Sequence, residues 1–349
     1  MTAETEAGLD PVATWRTAME RALYGPEGFY RRERASAHFR TSVHASGRYA
    51  EAFARLLAQV DAGLGHPGRL DLVDVGAGCG SMLTRIARLC DPDLAVRLLP
   101  TAVEIAARPA DLPPEIAWRT EPPGEITGLV IANEWLDNVP LDVVELTPAG
   151  PRLVLVDSRT GAERLGPEPS AADLEWLELW WPLRAPGDRA EVGRPRCEAW
   201  ASVIGRLRRG TAVAVDYGHA RPARPFGGTL SGYRDGRLVP PVPDGSCDVT
   251  AHVALDACAS AGSAAGAGST CLTTQREALR ALGVSGERPP IELAHRDPRA
   301  YLAALRRAGE DAELIDPSGL GGFTWLVQSK ELSSDRLLRT GQGVSDALP

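Results

Sequence analysis

Apolar side chains recur along the chain with two alternating periods. Over residues 47–62, Tyr49, Phe53, Leu56, Leu57 and Val60 return every three to four positions, which puts them on one face of a helix. The same spacing predicts helices over 9–23 (Val12, Trp15, Met19, Leu23), 81–90 (Met82, Leu83, Ile86, Leu89) and about 298–308. Short apolar runs at 69–76, 98–105, 128–135, 210–218 and 323–330 predict buried strands instead, and 143–157 predicts a hairpin turning at Pro148–Pro151. Strands that alternate with helices indicate βαβ units and a mainly parallel sheet, so the expected fold class is α/β.

Other stretches are less regular. Residues 22–42 are broken by Gly25, Pro26 and Gly28 and predict turns. A tryptophan-rich stretch at 171–208 predicts helix, with Trp176, Trp180 and Trp181 at helical spacing. Core packing or a protein-docking surface would account for them. Residues 226–253 read as loop, from Gly227, Gly228, Gly232, Gly236 and the Pro240–Pro241 pair. The small-residue tract 257–269 reads as a helix running into a loop. No internal repeat is visible.

Composition narrows the function classes. At 349 residues the chain has room for one large domain or two ordinary ones. A net charge of -8 argues against a protein that grips nucleic-acid phosphates. No apolar run is long enough to span a membrane, and MTAETEAGLD carries acids where a targeting peptide needs bases; a cytoplasmic protein is expected. The six cysteines form no C-x-x-C pair and the six histidines no H-E-x-x-H unit, so no metal site is expected. Of the 38 basic residues only Lys330 is lysine, a compositional bias given no functional weight.

The stretch Val73-Asp74-Val75-Gly76-Ala77-Gly78-Cys79-Gly80 carries the chemistry. Glycines at a strand-to-helix turn let the backbone approach a ligand. Their spacing is G-x-G-x-G; the dinucleotide fingerprint would need a glycine where Ser81 stands, and no Lys-Ser/Thr pair follows to make a phosphate loop. Glu104, near the end of the second strand, can accept the hydroxyls of an adenosine ribose, and Asn133-Glu134 ends the next strand in the same crevice. Asp74, the glycines, Glu104 and Asn133-Glu134 together describe an S-adenosylmethionine site.

The loop resembles that of Rossmann-like methyltransferases, and four further blocks are similar to the MidA-like family, which includes the mitochondrial complex I assembly methyltransferase. They are Tyr24-Gly-Pro-Glu-Gly-Phe-Tyr30 with Phe39-Arg-Thr-Ser42; Ala132-Asn-Glu-Trp-Leu-Asp-Asn-Val-Pro140; Val215-Asp-Tyr-Gly-His219; and Gly228-Thr-Leu-Ser-Gly-Tyr-Arg234 with Asp248-Val-Thr-Ala-His-Val253. The chain departs from the family pattern at Arg40, at Val43-His44 and at Trp135-Leu136. The resemblance implies a seven-stranded, mostly parallel Rossmann-like methyltransferase sheet with an N-terminal helical cap and insertions. The division then expected is a cap or lid over 1–65, one catalytic domain over 66–332 with an insertion at about 141–209, and a flexible tail over 333–349.

The resemblance also implies methylation of a protein arginine, with a protein substrate as partner and no nucleic acid or membrane; the oligomer is monomer or homodimer. Asp74, Gly76, Gly78, Gly80, Glu104 and Asn133 would hold S-adenosylmethionine, and Thr41, Ser42 and Tyr24 would close over it if the N-terminal segment folds back as a lid. Glu134 and Asp137 could grip an arginine fork and favour loss of its proton. In the plainer alternative, Glu134 holds only the cofactor's amino group and Asp137 caps the next segment. His252 could accept the proton, or be structural, with Asp248 or Thr250 capping a helix that starts near 250. Tyr217, His219 and Tyr24 could line the substrate side of the crevice. A small-molecule O- or N-methyltransferase and a non-catalytic assembly factor stay open as alternatives, because fold does not settle substrate.

Overall fold

The computed structural model describes residues 11–32 and 42–338. Strand β1, Leu70–Val75, is buried at every position but Asp71, as a strand covered on both faces must be. Around it run β2 (Leu98–Val103), β3 (Ala117–Arg119), β4 (Ile126–Asn133), β5 (Leu207–Asp216), β6 (Ser269–Thr274) and β7 (Thr324–Lys330). The sheet order is β6-β7-β5-β4-β1-β2-β3. The pairs β1–β2, β2–β3, β1–β4 and β4–β5 are parallel, and β7 runs antiparallel to both β5 and β6. The strand order reverses at β1 and β4, and the carboxyl ends on either side of such a reversal open a crevice suited to a ligand.

Helix α1 (Gly47–Gly63) starts where the Ser46 side chain accepts the Arg48 N–H, and α2 (Ser81–Leu89) follows the glycine turn. The α1 face read from the sequence is buried as expected: Tyr49, Phe53, Leu56, Leu57 and Val60 pack with Met82, Leu83 and Ile86 of α2 and with Trp325 of β7. The Phe53 ring stacks on Trp325 at 4.8 Å, and Tyr49 meets Trp325 edge-on at 6.4 Å.

The chain divides into two compact units. Of the described residues, 42–137, 196–220 and 252–338 make the unit just described, and 11–32, 138–195 and 221–251 make the other. In the second unit Val12–Thr14 pairs antiparallel with Gly150–Asp157, which also pairs with Val143–Thr147 and Glu163–Leu165. Helix Trp15–Tyr24 buries Trp15, Met19 and Leu23 as its spacing predicts, although Val12 belongs to the strand before it. Trp176 and Trp181 are buried, and the Arg221 guanidinium lies 4.5 Å over the half-buried Trp180 ring.

Several irregular stretches are more ordered than their composition suggests. Residues 231–250, expected as loop, contain a three-stranded sheet of Ser231–Arg234, Arg237–Val239 and Asp248–Thr250. The reason is an Asp-Gly pair: Asp235 and Gly236 both take positive φ, as a two-residue hairpin turn requires. Asp248–Thr250 is therefore strand and caps no helix; the helix begins at Leu255 and ends at Ala264. Glu277 closes a capping box on Thr274, which starts an unanticipated helix at Gln275–Ala281. Beyond 333, Ser334–Leu337 forms one helical turn with Leu337 in the core. Among the described residues no helix is long and apolar enough to cross a membrane.

Phe53→Ala should cost about 3–5 kcal/mol, the range for emptying a buried aromatic site. Urea unfolding measures this, and a loss below about 1 kcal/mol would show that the Phe53–Trp325 stack is not a core contact.

Candidate active site

β1 ends at Val75 and the chain turns through Gly76, Gly78 and Gly80 with φ of 73°, 57° and 72°, a region that side-chain-bearing residues rarely adopt. The N–H groups of Gly76 and Ala77 donate to the Val103 carbonyl at the end of β2, at 3.0 and 3.3 Å. Gly78 N–H donates to Glu104 Oε2 at 2.9 Å. The end of β2 thus holds the turn in place. A Cβ on Gly78 would meet nothing within 4 Å, so the turn borders open space there.

Asp74, one residue before the end of β1, is 4% exposed, and its carboxyl is pushed up to about 8, first by burial and then by the charge of Glu104. A buried acid in this state favours a cation beside it. The donors and acceptors present therefore fit a cationic adenosyl cofactor: Glu104 has an acceptor position to spare beyond its bonds to Gly78, Ile105 and Ala106, Gly78 leaves room, and Asp74 would give up its proton and become a countercharge as a cation enters. Asp74, Gly76, Gly78, Gly80 and Glu104 lie at the carboxyl ends of β1 and β2 and in the turn between β1 and α2.

At the end of β4, Glu134 takes φ 50°, unusual for a residue with a side chain, and its N–H donates to the Val215 carbonyl of β5 at 2.8 Å. Its Oε1 accepts Asn133 Nδ2 at 3.0 Å and the Ser42 N–H at 3.4 Å. Asn133 Oδ1 in turn accepts the hydroxyl of buried Tyr49 at 2.6 Å. Ser42, expected at the cofactor, is therefore tied to Glu134, and the Asn133 amide to Tyr49 and Glu134. Thr41 lies outside the described residues. Trp135 leans on the glycine turn: a Cβ on Gly76 would come within 3.0 Å of its ring.

Residues Leu136–Asn138 form a short 3-10 turn held by Asp216, the last residue of β5. Asp216 Oδ2 accepts the N–H groups of Leu136 and Asp137 at 3.0 and 3.2 Å. Burial pushes the Asp216 carboxyl well above the ordinary carboxylate range; Asp137 and Glu134 add to this, and Arg196 opposes it. Asp137 Oδ2 accepts the Tyr217 hydroxyl. The Tyr217 ring meets His252 edge-on at 5.2 Å, and His219 lies 6.4 Å from His252. Desolvation by its neighbours lowers the His252 imidazole below its usual range, with Asp137 opposing. It is then neutral near pH 7 and can accept a proton.

Arg196, 1% exposed, donates to the backbone carbonyls of Asp137 and of His252, the latter at 3.0 Å. Glu134, Asp137, Tyr217, His219 and His252 are thus brought together in one unit. Tyr24 belongs to the other unit, where its hydroxyl donates to the Asn138 carbonyl at 3.0 Å. Sequence reasoning did not single out Asp216, Arg196, Tyr49 or Gln275. Only Asp216 carried a signal, as a member of the Val215-Asp-Tyr-Gly-His219 block. Among the described residues no group of three His, Cys, Asp or Glu could hold a metal.

Comparison with known proteins follows this geometry. A family described as S-adenosyl-L-methionine-dependent methyltransferase matches residues 52–273. A superfamily member from Burkholderia thailandensis, crystallised with S-adenosyl-homocysteine, is similar with 25% identity and a TM-score of 0.75, over 92% of this chain and 88% of that one. A native crystal structure of a superfamily protein from the same organism is similar with 26% identity and a TM-score of 0.74, over the same shares. No curated protein matches the chain.

Asp74 makes stability depend on pH. Its carboxyl titrates near 8 in the folded chain and at about 3.9 when unfolded, so between those values the native state keeps a proton that the unfolded chain has lost. Native stability therefore falls as pH rises through that window. Asp74→Asn removes the effect, and its stability relative to the native sequence should climb from pH 5 to pH 8 by up to about 1.4 kcal/mol per unit. Urea unfolding without cofactor at the two pH values measures this; a difference that stays flat refutes the buried-acid account.

Proposed function

Because the chain belongs to the S-adenosyl-L-methionine-dependent methyltransferase family, we propose that its methyl acceptor is a guanidinium nitrogen of an arginine in a protein substrate. The MidA-like blocks of the sequence support placement in that branch. The observation that carries the acceptor is the grouping of Glu134, Asp137 and Asp216 at the ends of β4 and β5 with a neutral His252. Crowded carboxylates raise each other's cost of ionisation, and an entering cation relieves it.

When bound, the cofactor supplies a methyl group on a sulfonium, already a good electrophile. The chain's own residues then have to orient a nitrogen and take its proton. A guanidinium keeps its proton throughout the physiological range and is a poor nucleophile while charged. Two carboxylates from one turn, Glu134 and Asp137, match its planar fork and can fix one nitrogen. The imidazole of His252, beside Tyr217 and Asp137, can accept the proton as the nitrogen becomes trisubstituted. Positioning and charge complementarity supply most of the rate.

Labelled-methyl transfer into a cell lysate, followed by mass spectrometry of the modified residue, tests the acceptor directly. Glu134→Gln should lower transfer by about a hundredfold or more while S-adenosylmethionine binding, measured by calorimetry, persists. Label on a small molecule, or undiminished transfer by the variant, would overturn the arginine reading.

A further inference from the structure

Two buried amides have their orientations dictated by what surrounds them: one bonds the Glu134 carboxylate directly, and the other bonds Ser42, whose backbone N–H reaches the same oxygen. Asn133 is 9% exposed and sits between Tyr49 and Glu134. An amide offers an acceptor on one side and donors on the other. Glu134, when ionised, only accepts, so Asn133 must turn its NH2 toward Oε1, at 3.0 Å. Its carbonyl oxygen then faces Tyr49, whose hydroxyl must donate, at 2.6 Å. Burial, with the charge of Glu134 second, raises the Tyr49 hydroxyl well above its usual range, so it remains a donor throughout the working range.

Gln275, fully buried, is the second amide. The Leu314 carbonyl can only accept and takes Nε2 at 3.2 Å; the Trp325 indole can only donate and reaches Oε1 at 3.4 Å. With that orientation fixed, Nε2 also donates to Ser42 Oγ at 3.1 Å, and the Ser42 N–H is directed at Glu134 Oε1.

We infer that Tyr49 is a positioning residue, whose hydroxyl anchors the oxygen side of the Asn133 amide and so holds its NH2 in line with Glu134; Gln275 holds the side chain of Ser42, whose backbone N–H reaches the same carboxylate oxygen. The inference rests on the reading of Glu134 as the acceptor-side carboxylate. Without the Tyr49 hydroxyl, the buried Asn133 oxygen loses that donor, and the amide is held on its NH2 side alone. The bond to Oε1 then loses its fixed geometry. Glu134, already held at a positive φ, would lose its alignment.

Tyr49→Phe keeps the ring and removes only the hydroxyl. In the native protein one Asn133 side-chain N–H, assigned by its loss in Asn133→Asp, should exchange slowly with water in nitrogen-15 spectra; in Tyr49→Phe that protection should disappear. Labelled-methyl transfer into lysate should fall about tenfold, with the affinity for S-adenosylmethionine within about threefold of native. Tyr49→Phe added to Asn133→Ala should reduce transfer no further than Asn133→Ala alone, since coupled residues are not additive. An unchanged Asn133 signal, or losses that simply add in the double variant, would overturn the positioning role. If the amide signal responds as expected while Glu134→Gln transfers normally, the positioning stands and the reading of Glu134 fails instead.

Discussion

A buried guanidinium sits among carboxylates that would otherwise repel one another. Arg196 is almost wholly removed from water, and it donates to two backbone carbonyls, those of Asp137 and His252. Its charge opposes the rise that Asp137 and Glu134 impose on Asp216. A charge inside a protein is costly unless it is compensated; this one is hydrogen-bonded to backbone carbonyls and acts against the charge of Asp216. It also joins places that the chain visits far apart. Asp137, Arg196 and His252 each stand where the chain passes between its two compact units. One side chain therefore gathers the 3-10 turn after β4 and the segment that bears the histidine.

Beside this cation, the acids are held by partners suited to each. Asp216 takes backbone N–H groups, Asp137 a phenol, and Glu134 an amide and a backbone N–H. Asp74 stands apart, with a carboxyl near 8 that calls for a cation. The crevice keeps two acids, Asp74 and Glu104, beside the glycine turn and three nearer the ends of β4 and β5. Under the proposed arginine acceptor, such a division gives each of two positively charged groups its own compensation.

The sequence carried much of this. The glycine turn was readable because its left-handed backbone leaves little choice of residue, and Asp74, Glu104 and Glu134 were readable because strand ends at a sheet reversal converge. The helix of residues 47–63 was legible in its apolar face, but that pattern concealed Tyr49, whose ring belongs to the core and whose hydroxyl belongs to the site. Arg196 and Gln275 were hidden for a different reason: their bonds go to groups tens to hundreds of positions away, mostly backbone, and leave no spacing to detect. The three strands between 231 and 250 were missed because glycines and prolines outweighed the Asp235-Gly236 turn. Division of the chain between two units was not legible either, since each unit is assembled from three separated segments.

The position of β7 has a consequence for synthesis. It is made after every other strand of the sheet, yet it lies between β5 and β6 and is the neighbour through which β6 joins the sheet. Until residues 324–330 leave the ribosome, β5 presents an open edge, and β6 has no strand beside it. The Trp325 indole that meets Gln275 arrives in the same step. An apolar strand edge left waiting in this way invites pairing with other chains. Completion of the sheet and of the bonds that support Glu134 are then a single late event in the life of each newly made molecule.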